Sequence, residues 1–218
     1  MVDGAAWIAH RSRRVLLVDR IAVTDKQTID AYNTRVNEYA ELTQRDRPGR
    51  YLKRFMDRLA PSSHVLDLGC GPGQASVHLL AAGHQPDPVD ASAEMVNLAN
   101  RESGLNARQA TFDDMSGHAL YDGVWANFSL LHVQKSDFPR HLSAVHGALK
   151  PGGLFHIGMK LGAGEKRDRL DRFYSYYLED ELLGHLRDAG FAPDQIDKGE
   201  EMGLAGDIDP WIMVLSNA

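Results

Sequence analysis

The segment His64-Val65-Leu66-Asp67-Leu68-Gly69-Cys70-Gly71-Pro72-Gly73 constrains this chain more than any other. An apolar run carrying a carboxylate near its end breaks into glycines at alternate positions, just ahead of an Ala-rich helical stretch. Val65 to Leu68 suit a buried parallel strand, and the glycines suit a turn whose backbone passes close to a ligand. Pro72 can open a helix, whose first N–H groups lack internal partners and face the crevice beyond the strand. Asp90 ends the next apolar segment, where a ribose diol lies if a nucleoside fills that crevice. Together these features predict a nucleoside-containing cofactor at the carboxyl end of a parallel sheet.

A length of 218 residues fits one large domain with a sizeable core. The net charge of −6 argues against a general nucleic-acid binder, since phosphate neutralisation needs an excess of Lys and Arg. Cys70 is the single cysteine, which excludes an internal disulfide and a cysteine-rich zinc site, and no metal is expected. Near the start, the longest apolar run, Val15 to Val18, is far too short for a transmembrane helix or a normal signal core. No membrane association is expected, and a cytoplasmic location follows as the default. Residues 1–24 match no structural template and are set apart as a leader; residues 25–218 are expected to form one domain.

Helix-like sequence runs from Asp25 to Leu59, broken near Arg47-Pro48-Gly49. Tyr32, Val36 and Tyr39 fall on one face there, so residues 25–60 can cover the mouth of a sheet. Further on, a helix over 74–82 stops at Gly83, and a second strand spans 85–90. Its Pro86 and Pro88 remove donors on one side, so pairing should be weakened there. Ser92 caps the next helix. Strands are expected at 107–111, 123–127 and 154–159, with a helix capped by Ser136 before the last of these. A helix over 179–189 and strands near 191–197 and 208–215 complete the chain. Strand and helix alternate, which means α/β with a mostly parallel sheet.

A dinucleotide site usually carries Gly-x-Gly-x-x-Gly and brings a pyrophosphate to the helix N-terminus. Here the spacing is Gly-x-Gly-x-Gly behind Asp67, whose carboxylate would repel a pyrophosphate. Asp67 suits a ligand with a cationic amino group, as in the methionine portion of S-adenosylmethionine. Residues 65–73 resemble the first motif of class I S-adenosylmethionine-dependent methyltransferases. Asp90-Ala91-Ser92-Ala93-Glu94-Met95 is similar to the family's second-strand ending and the helix after it. Phe112-Asp113 sits where the family recognises adenine. Asp122 to Asn127 with Leu130-Leu131-His132-Val133, and Leu149 to Leu154, resemble two later motifs. The resemblance implies a Rossmann-like sandwich: a seven-stranded, mostly parallel sheet with a C-terminal antiparallel strand and helices on both faces.

It also implies roles for individual residues. Asp67 would hold the methionine amino group, directly or through water, while Gly69, Cys70 and Gly71 let the backbone approach. Asp90 would accept from both ribose hydroxyls, and Ala91 and Met95 would pack on the adenosine. Phe112 and Asp113 would meet adenine, with Asn127 and Phe128 under the sulfonium end and Tyr39 at the mouth. The expected reaction is in-line methyl transfer from S-adenosyl-L-methionine to a small molecule, leaving S-adenosyl-L-homocysteine, by alignment and water exclusion. His132 is the candidate base. Tyr32, Arg172, Tyr174 and Tyr176 are candidate acceptor-pocket residues, the last three in a glycine-bearing insertion at 160–178 that reads as a lid. His141 and His146 read as surface or helix residues. Alternatives are a non-catalytic S-adenosylmethionine-binding module and a dinucleotide-dependent oxidoreductase.

Overall fold

Three short helices, α1 (Lys26–Thr34), α2 (Val36–Thr43) and α3 (Arg50–Arg58), precede the first strand, β1 (His64–Leu68). The structure, a computed structural model, describes residues 25–103 and 105–218, so the leader expected over residues 1–24 lies outside the described residues. From β1 the chain alternates through α4 (Gln74–Ala81), β2 (Gln85–Asp90), α5 (Ala93–Ser103), β3 (Arg108–Gln109) and β4 (Tyr121–Asn127). Next come α6 (Phe138–Ala148), β5 (Leu149–Lys160), a small ribbon of β6 (Glu165–Arg167) and β7 (Phe173–Ser175), and α7 (Glu179–Asp188). Strands β8 (Ala192–Met202) and β9 (Ile208–Asn217) finish the chain.

The main sheet has seven strands in the order β3-β2-β1-β4-β5-β9-β8. Strands β1 to β5 pair in parallel, and β9 runs antiparallel to both β5 and β8. This is the sandwich expected from the sequence. Side chains alternate along β1 because successive Cβ atoms point to opposite faces. Val65 joins Leu52, Phe55, Leu79 and Trp125 on the face covered by α3 and α4. Leu66 and Leu68 join Leu142, Val145, Leu182 and Leu186 on the face covered by α6 and α7. Asp67, in phase with Val65, therefore points toward the α4 side.

The two prolines of β2 do not weaken its pairing with β1, which continues without a break from Gln85 to Val89. The Gln85 N–H donates to Ser63 O on the β1 side, at 2.8 Å. Strand alternation therefore turns the nitrogens of Pro86 and Pro88 to the other side. There β3 meets β2 only at Val89 and Asp90, so no ladder bond is lost. Helix α4 starts at Gln74 as expected, with Gly73 as its left-handed N-cap and Pro72 just ahead of it. Other boundaries shift for local reasons. Asp137, not Ser136, occupies the N-cap of α6, with Pro139 in the first turn. The third strand shrinks to Arg108–Gln109, while β5 extends to Leu149–Lys160. Ser92 caps α5 as expected, its Oγ accepting the Met95 N–H at 3.1 Å.

Gly123 lets α3 lie flat on β4: a Cβ there would come within 2.7 Å of the Phe55 ring. Phe55 is fully buried and packs on Trp125 with ring centroids 5.4 Å apart. Truncation removes that packing and leaves a cavity, so Phe55→Ala should cost about 3–5 kcal/mol of unfolding free energy. Urea denaturation checks this; a loss under about 1 kcal/mol would mean that α3 is not part of the cooperative core.

Candidate functional site

Gly69, Gly71 and Gly73 all sit in left-handed backbone, with φ of 79°, 53° and 84°. That conformation is cheap only for glycine. At Gly69 space adds a second constraint, since a Cβ would stand 2.3 Å from Ser129 Cβ. At Gly71 a side chain would project toward the Tyr39 ring, its Cβ 3.4 Å from Cε1. The turn's donors are engaged within the protein. Gly69 and Cys70 N–H both donate to Val89 O at 2.9 Å, and Gly73 N–H to Cys70 O at 3.0 Å. Gly71 N–H donates to Asp90 Oδ2 at 2.8 Å. The turn is thus tied to the end of β2.

Beyond the carboxyl ends of β1, β2 and β4 lies a cavity of about 700 Å³. Gly69, Gly71, Asp90, Ala91 and Met95 line one side, and Phe112, Asp113, Asn127 and Phe128 another. Tyr32, Tyr39 and His132 close it from above. Asp90 accepts Gly71 N–H on one oxygen and Ser92 N–H on the other, each at 2.8 Å. Each carboxylate oxygen retains a lone pair for a further donor. Burial raises the Asp90 carboxyl above its ordinary value of 3.8, against the backbone bonds that lower it. The Asp113 side chain, 27% exposed, accepts from Arg140 at 2.7 Å, whereas Asp114 turns away and caps a short helical turn through Thr111. Asn127 Oδ1 lies 3.0 Å from His156 Nε2, behind the cavity floor.

Asp67 and Cys70 are absent from the cavity walls. Asp67 is 2% exposed, and Ser76 in the first turn of α4 donates its Oγ–H to Asp67 Oδ2 at 2.7 Å. The carboxylate thus serves the helix start, where negative charge meets the positive end of the helix dipole. Burial raises its pKa to about 7, with the Ser76 hydrogen bonds opposing and the Asp90 charge adding to the rise. Cys70 is buried against Val96, Ala99, Leu105 and Ala107, and burial holds its thiol well above the ordinary range.

The insertion after β5 is a paired ribbon rather than an open glycine loop. Arg172, Tyr174 and Tyr176 do not line the large cavity; Arg167 and Phe173 of the same segment do. Arg172 is buried and pairs with Asp168 through Nε at 2.9 Å and Nη2 at 2.6 Å. Its Nη1 donates to Tyr32 Oη at 3.2 Å. Tyr32 Oη lies 3.0 Å from His132 Nε2, and His132 Nδ1 lies 2.6 Å from Phe173 O. A carbonyl only accepts, so Nδ1 carries the ring proton and Nε2 accepts from Tyr32. Burial pushes His132 down to about 4, the Phe173 bond opposing and the Arg172 and Lys160 charges reinforcing the shift.

Sequence reading overlooked several wall residues. His141, expected at a surface, is 4% exposed and lies beside Phe112 at the cavity's far end. Its place on α6 follows the helical spacing of Phe138, Leu142 and Val145, so periodicity alone marked it as inward-facing. Asp25, Thr28 and Arg167 join α1 to the ribbon. Arg167 pairs with Asp25 at 2.6 Å, and Phe173 N–H donates to Thr28 Oγ1 at 2.8 Å. No local motif announces these contacts. Among the described residues, no helix is long and apolar enough to cross a membrane.

A methyltransferase-domain family matches residues 65–153, from β1 to the start of β5. An uncharacterised methyltransferase of Synechocystis sp. is 34% identical over 105 residues, covering 45% of this chain and 48% of that protein. A trans-aconitate 2-methyltransferase of Deinococcus radiodurans is 29% identical over 147 residues, covering 66% of this chain and 55% of the relative. The chain thus spans about half the length of these curated relatives. In fold, the chain resembles 1,6-didemethyltoxoflavin-N1-methyltransferase of Burkholderia thailandensis. That match has a TM-score of 0.67 at 22% identity, over 88% of this chain and 87% of the other.

Asp67 makes the domain's stability depend on pH in a defined direction. Its folded pKa of about 7 exceeds the ordinary 3.8, so its contribution is complete below about pH 3.8 and lost as pH rises to about 7. Asn does not titrate. Asp67→Asn should therefore gain on the parent by about 2–3 kcal/mol between about pH 5 and about pH 8. Thermal melts of both proteins at the two pH values test this; an equal difference at both would place Asp67's proton elsewhere.

Proposed function

We propose that this chain binds S-adenosyl-L-methionine and transfers its methyl group to a small-molecule acceptor. The observation that carries this reading is Asp90. A carboxylate held by two backbone N–H groups, with a lone pair left on each oxygen, faces a cavity at the ends of parallel strands. That is the chemistry a ribose diol requires. Gly71 leaves the space beside Tyr39 open, and Ala91 and Met95 offer apolar contact for the adenosine. Phe112, Asp113 and His141 suit a purine, the Asp113 carboxylate accepting from an exocyclic amine. When bound, S-adenosyl-L-methionine supplies a methyl group already activated on a sulfonium sulfur. The protein's task is then to align the acceptor and exclude water, which Tyr32, Tyr39, Phe173 and the strapped α1 helix perform.

The comparisons support a small acceptor. Trans-aconitate is a small molecule by the name of one relative, and the Burkholderia neighbour was crystallised with 1,6-didemethyltoxoflavin and S-adenosylhomocysteine. Isothermal calorimetry tests the reading. S-adenosylhomocysteine should bind with micromolar affinity while NAD does not. Asp90→Ala should weaken that binding at least about tenfold, with its far-UV circular dichroism retained. Absence of binding by both S-adenosylmethionine and S-adenosylhomocysteine would overturn the proposal.

A further inference from the structure

A second cavity, of about 180 Å³, lies between the ribbon and the turn at 203–207 that joins β8 to β9. Sites for drug-sized ligands start at about 300 Å³, so this one admits an ion or a molecule of a few atoms. Five basic side chains line it, Lys160, Lys166, Arg167, Arg169 and Arg172, against three acids, Asp168, Asp207 and Asp209. Lys160 pairs with Asp209 at 2.5 Å and Arg172 with Asp168 at 2.6 Å, while Arg167 is held by Asp25. Lys166 and Arg169 have no carboxylate partner among the described residues, and of the lining acids only Asp207 remains to offset them.

The pocket is shaped around these two cations. Lys166 Nζ sits over the Tyr176 ring, 4.6 Å from its centroid, which places the ammonium and leaves its N–H donors for a further acceptor. Arg169 Nη2 occupies the space that a Cβ at Gly206 would need, so glycine there lets the guanidinium lie on the backbone of the turn. Beside it Ala205 is 4% exposed, and its N–H meets no acceptor among the described residues. Buried backbone donors are nearly always paired, so this one calls for an acceptor from outside the chain. We propose that this pocket binds a small oxyanion, a phosphate or a short carboxylate. Lys166 and Arg169 hold it from the ribbon side and Ala205 N–H from the turn, so the ligand ties the two segments together.

Charge and donor geometry select this class over others. Every polar group left over at the site, an ammonium, a guanidinium and a backbone N–H, is a donor, and the planar fork of Arg169 matches the two oxygens of a carboxylate or phosphate. A cation finds no such set. Asp168 and Asp209 already serve Arg172 and Lys160, and among the described residues no group of three or more His, Cys, Asp or Glu could hold a metal ion. The side chain of Arg172, 4% exposed, backs the pocket and donates on its other side to Tyr32 in the wall of the large cavity. Phe173 and Arg167 of the same ribbon also line that cavity, so an anion that ties the ribbon to the turn steadies one side of its cover. The pocket itself does not depend on what the large cavity binds.

Calorimetry on the full chain at constant ionic strength, with inorganic phosphate and malonate as probes, tests the site. At least one should saturate it with a Kd at or below about 1 mM, and the tighter of the two names the preferred group. Lys166→Ala and Arg169→Ala, both at exposed side chains, should each weaken that binding at least about fivefold, whereas Lys53→Ala on α3 should leave it unchanged. No saturable binding of either probe, or undiminished binding by the variant carrying both ribbon substitutions, would overturn the proposal. The bound anion should move the amide signals of Ala205 and Gly206 in ¹H–¹⁵N spectra. Shifts confined to residues 69–73 would place the anion at the glycine turn and sink the assignment. Amide hydrogen exchange across residues 165–175 should slow at least about threefold at saturation in the parent and not in the double variant. Unchanged exchange in the parent would refute the tie between ribbon and turn.

Discussion

The end of β2 holds the site together. Val89 O receives the Gly69 and Cys70 N–H groups, and the next residue, Asp90, receives that of Gly71. Three successive backbone donors of the turn are thus satisfied by two consecutive residues of the neighbouring strand. Buried backbone donors left unpaired cost about 1–3 kcal/mol each, so this arrangement fixes the turn's path as well as its stability. The turn then sets where α4 begins, where Tyr39 can rest, and where the Asp90 carboxylate points. The left-handed backbone at Gly69 and Gly71 brings those donors round, and glycine adopts it most cheaply.

Above that floor, the roof is built from sequence-distant parts. Helix α1 and the β6–β7 ribbon meet through Arg167 with Asp25, Thr28 with Phe173, and Arg172 with Tyr32. The Arg172–Asp168 pair is 4% and 7% exposed at its side chains. Breaking one partner of such a pair strands a buried charge, so the ribbon's geometry is specified even where its stability gain is small. Cover and floor are therefore held by different chemistry: backbone donors below, charged side chains above.

How much of this the sequence discloses follows the same division. The strand–glycine–helix signal and Asp90 depend on local geometry, and their places in the sheet and cavity could be read directly. The mostly parallel character of the sheet also followed from the alternation of strand and helix. For Asp67 the residue-level pattern says only that a carboxylate lies near the end of the strand. Which face it takes depends on phase with Val65, and that face belongs to α4. Glycines and tyrosines suggest a lid that carries Arg172, Tyr174 and Tyr176 into the acceptor pocket, and the structure keeps all three out of the cavity walls. Their burial comes from pairing across the ribbon and from Asp168, neither of which a linear pattern encodes.

The two prolines of β2 have a consequence for the molecule among its neighbours. Because β3 covers β2 only at Val89 and Asp90, the first half of β2 is an open sheet edge. An open edge with regularly spaced donors invites a strand from another copy. Pro86 and Pro88 stand where two of those donors would be, and the side chain of Asp87 between them is held by Arg108 and Tyr121. The residues that look like defects in a strand thus take from that edge the donors that a strand from another copy would need.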